Sequence, residues 1–460
     1  FHQAMAAGHQ THLFHVLLAA RTAQQITGDE EWIQPESAAF LAMAKCIPHE
    51  LNCMTMRAVD TDEAYSPELL RELLGESGHC VTAIRQGVAY TPVLRQVPVQ
   101  EEKSFSPKEG GVYLIAGGSG GLGLEIAKWL AQKGAACLHL LGRRPLSPVG
   151  DEKQKRLWDT VKDLRESCKV CYHTMDVTDA LAMEDLGREL QQAGGLDGVF
   201  QCAGVAGKGM LLSKEEETFR KVLQPKVQGT WNLHNLPVKP GHFVLFSSVQ
   251  TLFGGAGQSD YTVANAFLDA FADYRHSQGL PAVVINWPAW KQVGMAVDMG
   301  AAQNQSFFHA LSSDPAIAAL ETALGAGLSG VIPGKLDKEF LAREWSHFPI
   351  ALTPELRPKE ERKEASGEKS SQAPMLLGKE PGSFTQRERE VADLYARTIG
   401  LGEIDVFDSI QAMGGDSIVS MEILKMLNQK YGNHISAADM FTYTSVQAMA
   451  AHIEDLLLPV

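Results

Sequence analysis

The chain has 460 residues, of which 45% are hydrophobic, and its formal net charge is −14 at neutral pH. This length predicts about three domains of ordinary size. The acidic balance argues against a nucleic-acid-binding protein, because contact with the phosphate backbone needs concentrated Lys and Arg. No apolar segment approaches the ~20 residues of a membrane span, and no signal-peptide pattern follows Phe1. We therefore expect a cytoplasmic protein without nucleic-acid or membrane partners, cut from a longer sequence.

The first hundred residues alternate short apolar runs with polar loops and contain no phosphate-binding loop. Four histidines lie near the start, at His2, His9, His12 and His15. Histidines on one helix face can hold a metal, but no H-E-x-x-H motif accompanies them. A helix that contacts solvent or another domain is therefore the preferred interpretation.

Between residues 110 and 350 a strand pattern followed by a helix pattern is repeated. The apolar runs are VYLIAG, CLHLLG, GVFQCAG, HFVLFSS and AVVINW. They are continuous rather than alternating, which is typical of strands buried on both faces of a parallel sheet. Helical stretches such as LEIAKWLAQKG lie between them. The pattern predicts the α/β fold class with a doubly wound parallel (Rossmann) sheet.

A glycine-rich turn, AGGSGGLG, links the first of these strands to a helix. Residues without a side chain let the backbone approach a pyrophosphate, and the free N–H groups of the helix start favour an anion. A glycine-rich turn alone is a weak signal, but its place between strand and helix strengthens it. The predicted cofactor-binding residues of this turn are Gly117, Gly118, Ser119, Gly120, Gly121, Leu122 and Gly123.

The second strand ends in LLGRRP, with Arg143 and Arg144 where NAD-binding proteins carry an acidic residue. An arginine fork suits a 2′-phosphate, so NADPH is favoured over NADH. The alternative is a solvated basic pair at a strand end. Strand ends further along add candidates that flank the adenine and ribose, and these are Asp176, Val177, Ala203 and Gly204.

Seven cysteines are scattered along the chain, and Cys168 and Cys171 have C-x-x-C spacing. A zinc site would need a second such pair or histidines at knuckle spacing, and neither is nearby in sequence. Reduced thiols without a metal are the preferred interpretation.

A serine and a tyrosine lie thirteen positions apart at Ser248 and Tyr261, which indicates a carbonyl reductase. Most such reductases have a lysine four residues after the tyrosine, but Asn265 occupies that position here. Tyrosine has a free pKa of about 10, and a nearby ammonium lowers it. The chemistry fixes the position of that ammonium in space rather than in sequence. Lys226 is the candidate, in VLQPKVQGTWNLHNL, which is the predicted helix before the FVLFSS strand.

These motifs resemble the ketoreductase domains of modular polyketide synthases, which are short-chain dehydrogenases. The resemblance covers about 110–350 and rests on AGGSGGLG, LLGRRP, CAGV, PKVQGTWNL, the FSS…YTVAN segment and VVINWPAW. It implies an exchange of positions in which Lys226 takes the lysine role and Asn265 the asparagine role. The segment from 37 to 62 resembles the degenerate, cofactor-free half that these domains carry as a structural subdomain, with its first strands absent.

The resemblance also bears on stereochemistry. One class of the family has a Leu-Asp-Asp motif where this chain has Ala206, Gly207 and Lys208. The opposite class often has tryptophan eight residues before the tyrosine, and Phe253 stands there. The chain is thus expected to give the L-configured 3-hydroxyacyl product.

A segment rich in charge, Pro, Gly and Ser, ELRPKEERKEASGEKSSQAPMLLGKEPGS, predicts a flexible linker with an r.m.s. reach of roughly 30 Å. Only MLL, at 375–377, is apolar enough to pack. An acidic unit follows, in which GGDS precedes apolar residues at helical spacing, so a helix is predicted to begin at or beside Ser417. The alternative interpretation is that Ser417 only caps the N-terminus of this helix. The unit resembles acyl carrier proteins, which implies 4′-phosphopantetheine on Ser417.

Together these features predict an NADPH-dependent 3-ketoacyl-thioester reductase with its own carrier. The expected partners are an acyl thioester on this or a neighbouring carrier, a phosphopantetheinyl transferase and other synthase modules. Two alternatives stay open, a non-catalytic NADPH-binding scaffold and a free-standing dehydrogenase with a docking unit. The predicted parts are a structural subdomain (1–105), a catalytic domain (106–352), a linker (353–384) and a four-helix carrier domain (385–460).

Overall fold

The computed structural model describes residues 14–457, with gaps at 52–53, 67–68, 71–79, 99–103, 208, 301–305, 344–349, 358–373, 381, 400, 411–412, 414–416 and 433. These residues form an N-terminal α/β unit, a central α/β unit and a small helical unit. Across the described ranges, no helix has both the length and the apolar character needed to cross a bilayer.

The N-terminal unit is a four-stranded sheet in which neighbouring strands follow the chain order. Its strands are β1 (Phe14–Arg21), β2 (Met54–Thr61), β3 (Val81–Arg85) and β4 (Val88–Tyr90). The first three strands run parallel, and β3 turns back into β4 through Gln86 and Gly87, whose φ angles of 50° and 74° suit a tight hairpin. Helices α1 (Pro35–Ala42) and α2 (Ile47–Glu50) connect β1 to β2. This agrees with the predicted degenerate half-sheet.

A helix was predicted for the histidines at the start of the chain, but the one histidine that the structure describes there lies in a strand. His15 lies in β1, and its Nδ1 is 2.7 Å from Oγ1 of Thr55 in the neighbouring strand. The helix prediction is wrong at this residue, because parallel pairing with β2 sets an alternating pattern of exposure along β1. His2, His9 and His12 lie outside the described residues.

The central unit contains a seven-stranded parallel sheet, as the continuous apolar runs predict. After the short β5 (Val93–Leu94), its strands are β6 (Val112–Ala116), β7 (Cys137–Gly142), β8 (Lys169–Thr174), β9 (Gly198–Gln201), β10 (His242–Ser248), β11 (Val283–Trp287) and β12 (Gly330–Val331). Their order across the sheet is β12-β11-β10-β9-β6-β7-β8. Successive strands are added on one side of β6 up to β8 and then on its other side from β9 onwards. This change of side opens a crevice at the C-terminal ends of β6 and β9.

Helices cover both faces of this sheet. One face carries α3 (Gly121–Gln132) and α4 (Glu152–Ser167), the other α5 (Ala180–Gln192), α6 (Glu216–Leu223), α7 (Gln228–His234) and α9 (Ser259–Ser277). The short α8 (Gln250–Phe253) follows β10 and packs on a separate apolar cluster. Three further helices follow, α10 (Met295–Asp298), α11 (Ser313–Gly325) and α12 (Lys338–Arg343). Helix α11 joins α3 and α4 in one apolar core, and α9 packs against α1 of the N-terminal unit. The predicted doubly wound fold is confirmed.

The C-terminal unit has four helices among its described residues, as predicted. They are α13 (Gln386–Ile399), α14 (Ser417–Tyr431), α15 (Ala437–Thr442) and α16 (Val446–Leu456). Its core includes the fully buried Tyr395, Leu427 and Met449. Ser436 caps α15 in a reciprocal capping box with Asp439, which fixes where that helix begins.

Two strand pairs lie at the borders of the predicted parts. In the first, β13 (Ala351–Leu352) runs parallel to β5. In the second, β14 (Met375–Leu377) pairs with β15 (Glu403–Asp405) of the helical unit. The MLL segment was expected within the linker, but Leu376 packs on the carrier core because it is one of the few apolar side chains there. The ordered C-terminal unit therefore begins before residue 385. Residues 358–373 of the predicted linker lie outside the described residues.

Candidate active site

The glycine-rich turn after β6 brings backbone close to backbone. Gly117 has a φ of +78°, and a Cβ added to it would lie 2.7 Å from the amide nitrogen of Ala203. A Cβ on Gly123 would lie 2.4 Å from the carbonyl oxygen of Gly117. Only glycine fits at these two positions, so the turn stays open to a ligand at the start of α3.

The pocket beside this turn collects most of the predicted cofactor residues. Those that line it are Gly117, Ser119, Gly120, Arg143, Asp176, Val177, Ala203 and Gly204. The other glycines of the turn pack inside the protein, with Gly118 against Leu140 and Gly121 against Val293. Leu122 reaches towards Gly294 on the loop after β11. These residues shape the turn rather than line the pocket.

The two arginines of LLGRRP differ in position. Arg143 lines the pocket with an exposed side chain, and its Nη1 lies 3.8 Å from Oδ2 of Asp176. Asp176 is held in place because its Oδ1 accepts hydrogen bonds from the backbone N–H and hydroxyl of Thr178. Arg144 offers its carbonyl oxygen to the hydroxyl of Tyr172. The pocket thus receives one arginine side chain from the pair.

Sequence reasoning missed several pocket residues, namely Leu141, Gly142, Met175, Cys202, Val205 and Pro225. Most are immediate neighbours of predicted residues at the ends of β7, β8 and β9, so their position follows from the strand ends. Pro225 has no such signal, since it comes from the turn that joins α6 and α7.

The serine and tyrosine predicted for catalysis meet at the end of β10 and the start of α9. Ser248 is the last residue of β10, and Tyr261 lies in the first turn of α9. Burial raises the pKa of Tyr261, and side-chain hydrogen bonds with Ser248 and Asn265 oppose that rise. Asn265 also donates from Nδ2 to the carbonyl oxygen of Tyr261 at 2.8 Å. The three predicted residues therefore form one hydrogen-bonded group.

The Oδ1 atom of Asn265 is fully buried and accepts no hydrogen bond from any described residue. A buried, unpaired amide oxygen is unfavourable unless a ligand, a water or a cation uses it. Asn265 thus retains one acceptor for such a group.

Lys226 is 3% exposed and lies in the turn between α6 and α7, not on a helix as predicted. Its Nζ donates to the carbonyl oxygen of Phe246, two residues before Ser248, at 2.8 Å. Burial lowers the pKa of Lys226 to about 8, and the nearby Cys202 and Asp269 act in the opposite direction. The side chain passes Gly204, where an added Cβ would lie 3.1 Å from its Cε. An ammonium is therefore delivered to the strand end that carries Ser248.

A buried ion pair between Asp260 and Lys214 lies next to the backbone of Tyr261. Asp260 and Lys214 are almost fully buried, with Nζ 2.7 Å from Oδ2. The other carboxylate oxygen of Asp260 accepts the backbone N–H of Tyr261 at 2.8 Å. Gly207 is packed on the same carboxylate, and a Cβ there would lie 2.2 Å from Oδ1. Sequence reasoning missed this pair, because nothing in the local pattern joins residue 214 to residue 260.

The N-terminal unit also reaches the site. Glu50, at the end of α2, is 6% exposed and accepts hydrogen bonds from the backbone N–H groups of Gly257 (3.0 Å) and Leu211. Gly257 lies in the loop that leads into α9 and Tyr261. The cofactor-free half therefore fixes a loop of the predicted active site.

The predicted carrier serine begins a helix. α14 starts at Ser417, which confirms the predicted helix start. Leu424 and Leu427, two of the apolar residues that recur at helical spacing after GGDS, are buried. Gly414, Gly415 and Asp416 of the GGDS motif lie outside the described residues.

Comparison with known families agrees with this arrangement. Residues 111–292 match the family described as KR domain, and residues 389–453 match the family described as phosphopantetheine attachment site. The chain carries a ketoreductase domain and a carrier domain of the polyketide synthase type. A ketoreductase is an oxidoreductase, and this domain type implies a nicotinamide cofactor.

Curated relatives of these two domains are large synthases. A 6-methylsalicylic acid synthase from Arthrobotrys oligospora is 31% identical over 396 residues, which cover 80% of this chain and 22% of that protein. Polyketide synthase GfsB from Streptomyces halstedii is 32% identical over 368 residues, which cover 76% of this chain and 6% of that protein. The chain thus corresponds to a small part of each relative.

Solved structures share the fold of the ketoreductase domain. A-type ketoreductases from a modular polyketide synthase align with a TM-score of 0.66 and 26% identity, covering 77% of this chain and 76% of theirs. The first ketoreductase of the tylosin synthase aligns with a TM-score of 0.65 and 29% identity, covering 74% of this chain and 75% of that one.

Proposed function

We propose that this chain uses NADPH to reduce a carrier-bound 3-ketoacyl thioester to the 3-hydroxyacyl thioester. The observation that carries the proposal is the meeting of Ser248, Tyr261 and Asn265 near a buried lysine, at the end of β10 and the start of α9. The neighbouring strands β9 and β6 end in the cofactor pocket. A proton donor and a cofactor crevice at the same edge of the sheet are what carbonyl reduction requires.

In this proposal the substrate ketone lies between Ser248 and Tyr261. The Tyr261 hydroxyl gives its proton to the carbonyl oxygen, and the Ser248 hydroxyl donates a hydrogen bond to the same oxygen. Lys226, whose pKa is about 8, is mostly protonated at neutral pH, so its ammonium favours the phenolate that Tyr261 becomes. The free Oδ1 of Asn265 accepts from this ammonium or from a water that joins it to Tyr261.

Two features of the pocket support a phosphorylated nicotinamide dinucleotide as the cofactor. The turn at Gly117 and Gly120 leaves room for a pyrophosphate, and Arg143 offers a guanidinium for a 2′-phosphate. When bound, NADPH supplies the hydride that reduces the ketone carbon. The preference for NADPH rests on Arg143, since the ribose 2′-hydroxyl of NADH gives a guanidinium no anion to bind.

The carrier domain is proposed to hold the acyl chain on 4′-phosphopantetheine at Ser417. Ser417 is the first residue of α14, and the start of a helix favours an attached phosphate. A phosphopantetheinyl transferase is the implied partner for this attachment. Other modules of the synthase, and a cytoplasmic location, are part of the same proposal.

The structure supports the stereochemical prediction at one position. Gly207 stands where the Leu-Asp-Asp motif would place an aspartate, and the carboxylate of Asp260 occupies the space of any side chain there. Phe253, the other marker, stacks on Phe307 with ring centroids 4.9 Å apart. We therefore keep the L-configured product as part of the proposal, and chiral chromatography of the product tests it.

A turnover assay with a soluble 3-ketoacyl thioester tests the reduction itself. The wild-type chain is expected to oxidise NADPH and to form one 3-hydroxyacyl thioester per NADPH. Tyr261→Phe removes the proton donor and is expected to lower kcat by about 10²–10⁴-fold while NADPH still binds. Equal rates for the two proteins would exclude this function for Tyr261, and no product with the wild type would exclude the reaction.

A further inference from the structure

Two neighbouring strands at the sheet edge carry the same alternating pattern of metal-binding side chains. Cys137 and His139 alternate on β7, and Cys171 and His173 alternate on β8. The parallel register places His139 opposite Cys171. The residues that alternate with them on β7, Leu138 and Leu140, point into the apolar core. The four polar side chains therefore share the opposite face of the sheet, where they are only partly buried.

Three of these side chains bring their donor atoms together. The donor atoms of Cys137, His139 and Cys171 all lie within 4.8 Å of one another, and Sγ of Cys137 is 3.4 Å from Nε2 of His139. In a tetrahedral zinc site, Zn–S bonds of about 2.3 Å and Zn–N bonds of about 2.0–2.1 Å place sulfur and nitrogen about 3.6 Å apart. The observed spacing is thus close to that of two ligands on one zinc ion.

The fourth residue holds the histidine in position. Nδ1 of His139 lies 3.1 Å from Nε2 of His173, and the two rings are inclined by only 15°. A histidine that binds zinc through one nitrogen commonly donates the other N–H to a second residue, which fixes the tautomer and ring orientation. This contact leaves Nε2 of His139 directed at the thiols.

We propose that Cys137, His139 and Cys171 bind a zinc ion, with His173 as the residue that orients His139. Two thiolates neutralise the charge of Zn²⁺, and a thiolate–imidazole ligand set favours zinc among the available divalent ions. Three protein ligands leave a fourth coordination position for a water or an exogenous ligand.

The position of the ion suggests what it does. β8 is the edge strand of the seven-stranded sheet, and its only strand partner among the described residues is β7. An ion held by both strands joins the edge strand to the sheet. Arg143 and Asp176 lie just beyond these strands in the cofactor pocket, so the ion would stabilise the wall that carries them. Sequence spacing alone does not reveal the site, since the two halves are 34 residues apart and meet only through strand register.

Cobalt titration of the full-length, tag-free chain tests the site. The protein is reduced, stripped with a chelator and titrated with Co²⁺, whose thiolate charge-transfer absorption reports cysteine ligands and distinguishes them from surface histidines. We expect one equivalent in the wild type and loss of the absorption in Cys137→Ser and Cys171→Ser. Cys168→Ser is the matched control, because this neighbouring thiol donates to the carbonyl oxygen of Leu164 and should change nothing.

Zinc content and stability keep the test decisive if a variant folds poorly. Zn²⁺ is expected to raise the Tm of the reduced wild type and of Cys168→Ser, but not of Cys171→Ser. His173→Asn should keep one equivalent but bind about 10–100-fold more weakly. A wild-type chain that shows no thiolate–cobalt absorption, or a Cys171→Ser variant that keeps it, would overturn the proposal. Isolation of the chain with a Cys137–Cys171 disulfide that resists reduction would also overturn it.

Discussion

Two turns in this molecule follow the first described strand of a parallel sheet, and they are completed in different ways. After β6, Gly117 brings the backbone close to Ala203, and the turn faces the cofactor pocket. After β1, the backbone N–H groups of Ala23 and Gln24 donate to the carboxylate of Asp60 at 2.8 and 3.1 Å. The first turn is open to an external anion, whereas the second already binds an anion from its own chain.

The internal anion is part of a buried charge network. Nη2 of Arg85 lies 2.7 Å from Asp60, and its Nε lies 3.0 Å from Glu30, with all three side chains at most 5% exposed. Burial raises the pKa of Glu30, but hydrogen bonds from the backbone of Thr27 and Ile26 and from Arg85 outweigh it and bring the pKa to about 2. The N-terminal half therefore uses its charges to complete its fold.

One sheet architecture serves two purposes in this molecule, depending on which groups satisfy the turn after its first described strand. Where side chains of the chain itself fill the turn, the unit is structural. Its residue Glu50 accepts a hydrogen bond from Gly257 and so positions the loop before Tyr261. Where glycine leaves the turn open, the unit can bind a cofactor. Charge substitutions should thus reduce catalysis in one half and stability in the other.

The largest effect is expected for the buried lysine of the catalytic half. Lys226→Met should lower kcat by about 10²–10⁴-fold, because the ammonium that favours the Tyr261 phenolate is lost. The fold should survive, since burial of this ammonium is itself unfavourable, as its lowered pKa shows. Lys221→Met, on the exposed end of α6, is the matched control and should leave the rate unchanged. A kcat within twofold of wild type for Lys226→Met would contradict the assignment.

The structural half should respond to substitution through stability. Arg85→Met leaves the Asp60 and Glu30 carboxylates buried without their partner, and it is expected to lower the free energy of unfolding by about 3–5 kcal/mol. Urea unfolding measures this loss, and NADPH affinity of the folded fraction should be unchanged. Arg188→Met breaks only exposed ion pairs and serves as the control. Similar midpoints for both variants would show that the network does not stabilise this half.

Cofactor choice should depend on one arginine of the pair. Arg143→Ala is expected to weaken NADPH binding by about 10–100-fold, as for a hydrogen bond to a charged group of about 1.5–3 kcal/mol, and to leave NADH binding unchanged. Arg144→Ala should have a smaller effect, because only Arg143 lines the pocket. Fluorescence titration with both cofactors measures these constants. Equal losses for NADPH and NADH would mean that Arg143 does not bind the 2′-phosphate.

The smallest effect concerns pH. With a pKa of about 8, Lys226 loses its proton as pH rises through 8, so the reduction rate should fall above that pH by up to about tenfold per unit. The effect of Lys226 on folding stability changes with pH in the opposite direction from its effect on the rate. Between pH 8 and the ordinary lysine pKa of about 10.4, the unfolded chain binds more protons, so rising pH favours the folded state. A pH–rate profile that stays flat from 7 to 9.5 would contradict the role of Lys226.

Features that depend on local order were predictable from the sequence. The strand–glycine–helix pattern predicted the turn at Gly117. The short spacing of Ser248 and Tyr261 indicated a common site, because the end of a strand and the start of a helix that soon follows it lie at the same sheet edge. The chemistry made Lys226 a candidate, but its role rested on the family resemblance, since its contact with Phe246 depends on a turn between two helices.

Features that depend on register or on contact between distant segments were not predictable. The carboxylate of Asp60 meets Arg85 across 25 residues, and Glu50 meets Gly257 across 207. Strand register also decides that β14 joins the carrier unit instead of the linker. For the charged pairs the sequence pattern carries no signal, because Asp, Glu and Arg are equally compatible with a solvated surface. For β14, the apolar MLL segment indicated that it packs but not which strand it pairs with.

A single-turnover experiment on the phosphopantetheine-bearing chain asks whether it reduces a substrate held on its own carrier domain. The chain carries a 3-ketoacyl group on its phosphopantetheine and receives NADPH deuterated at the transferred hydrogen, and mass spectrometry follows the acyl group on the carrier. We predict one deuterium in the acyl group of the wild type, and at most slow transfer in Lys226→Met. An unlabelled, unreduced acyl group on the wild-type chain would contradict the claim that this chain reduces the substrate held on its own carrier.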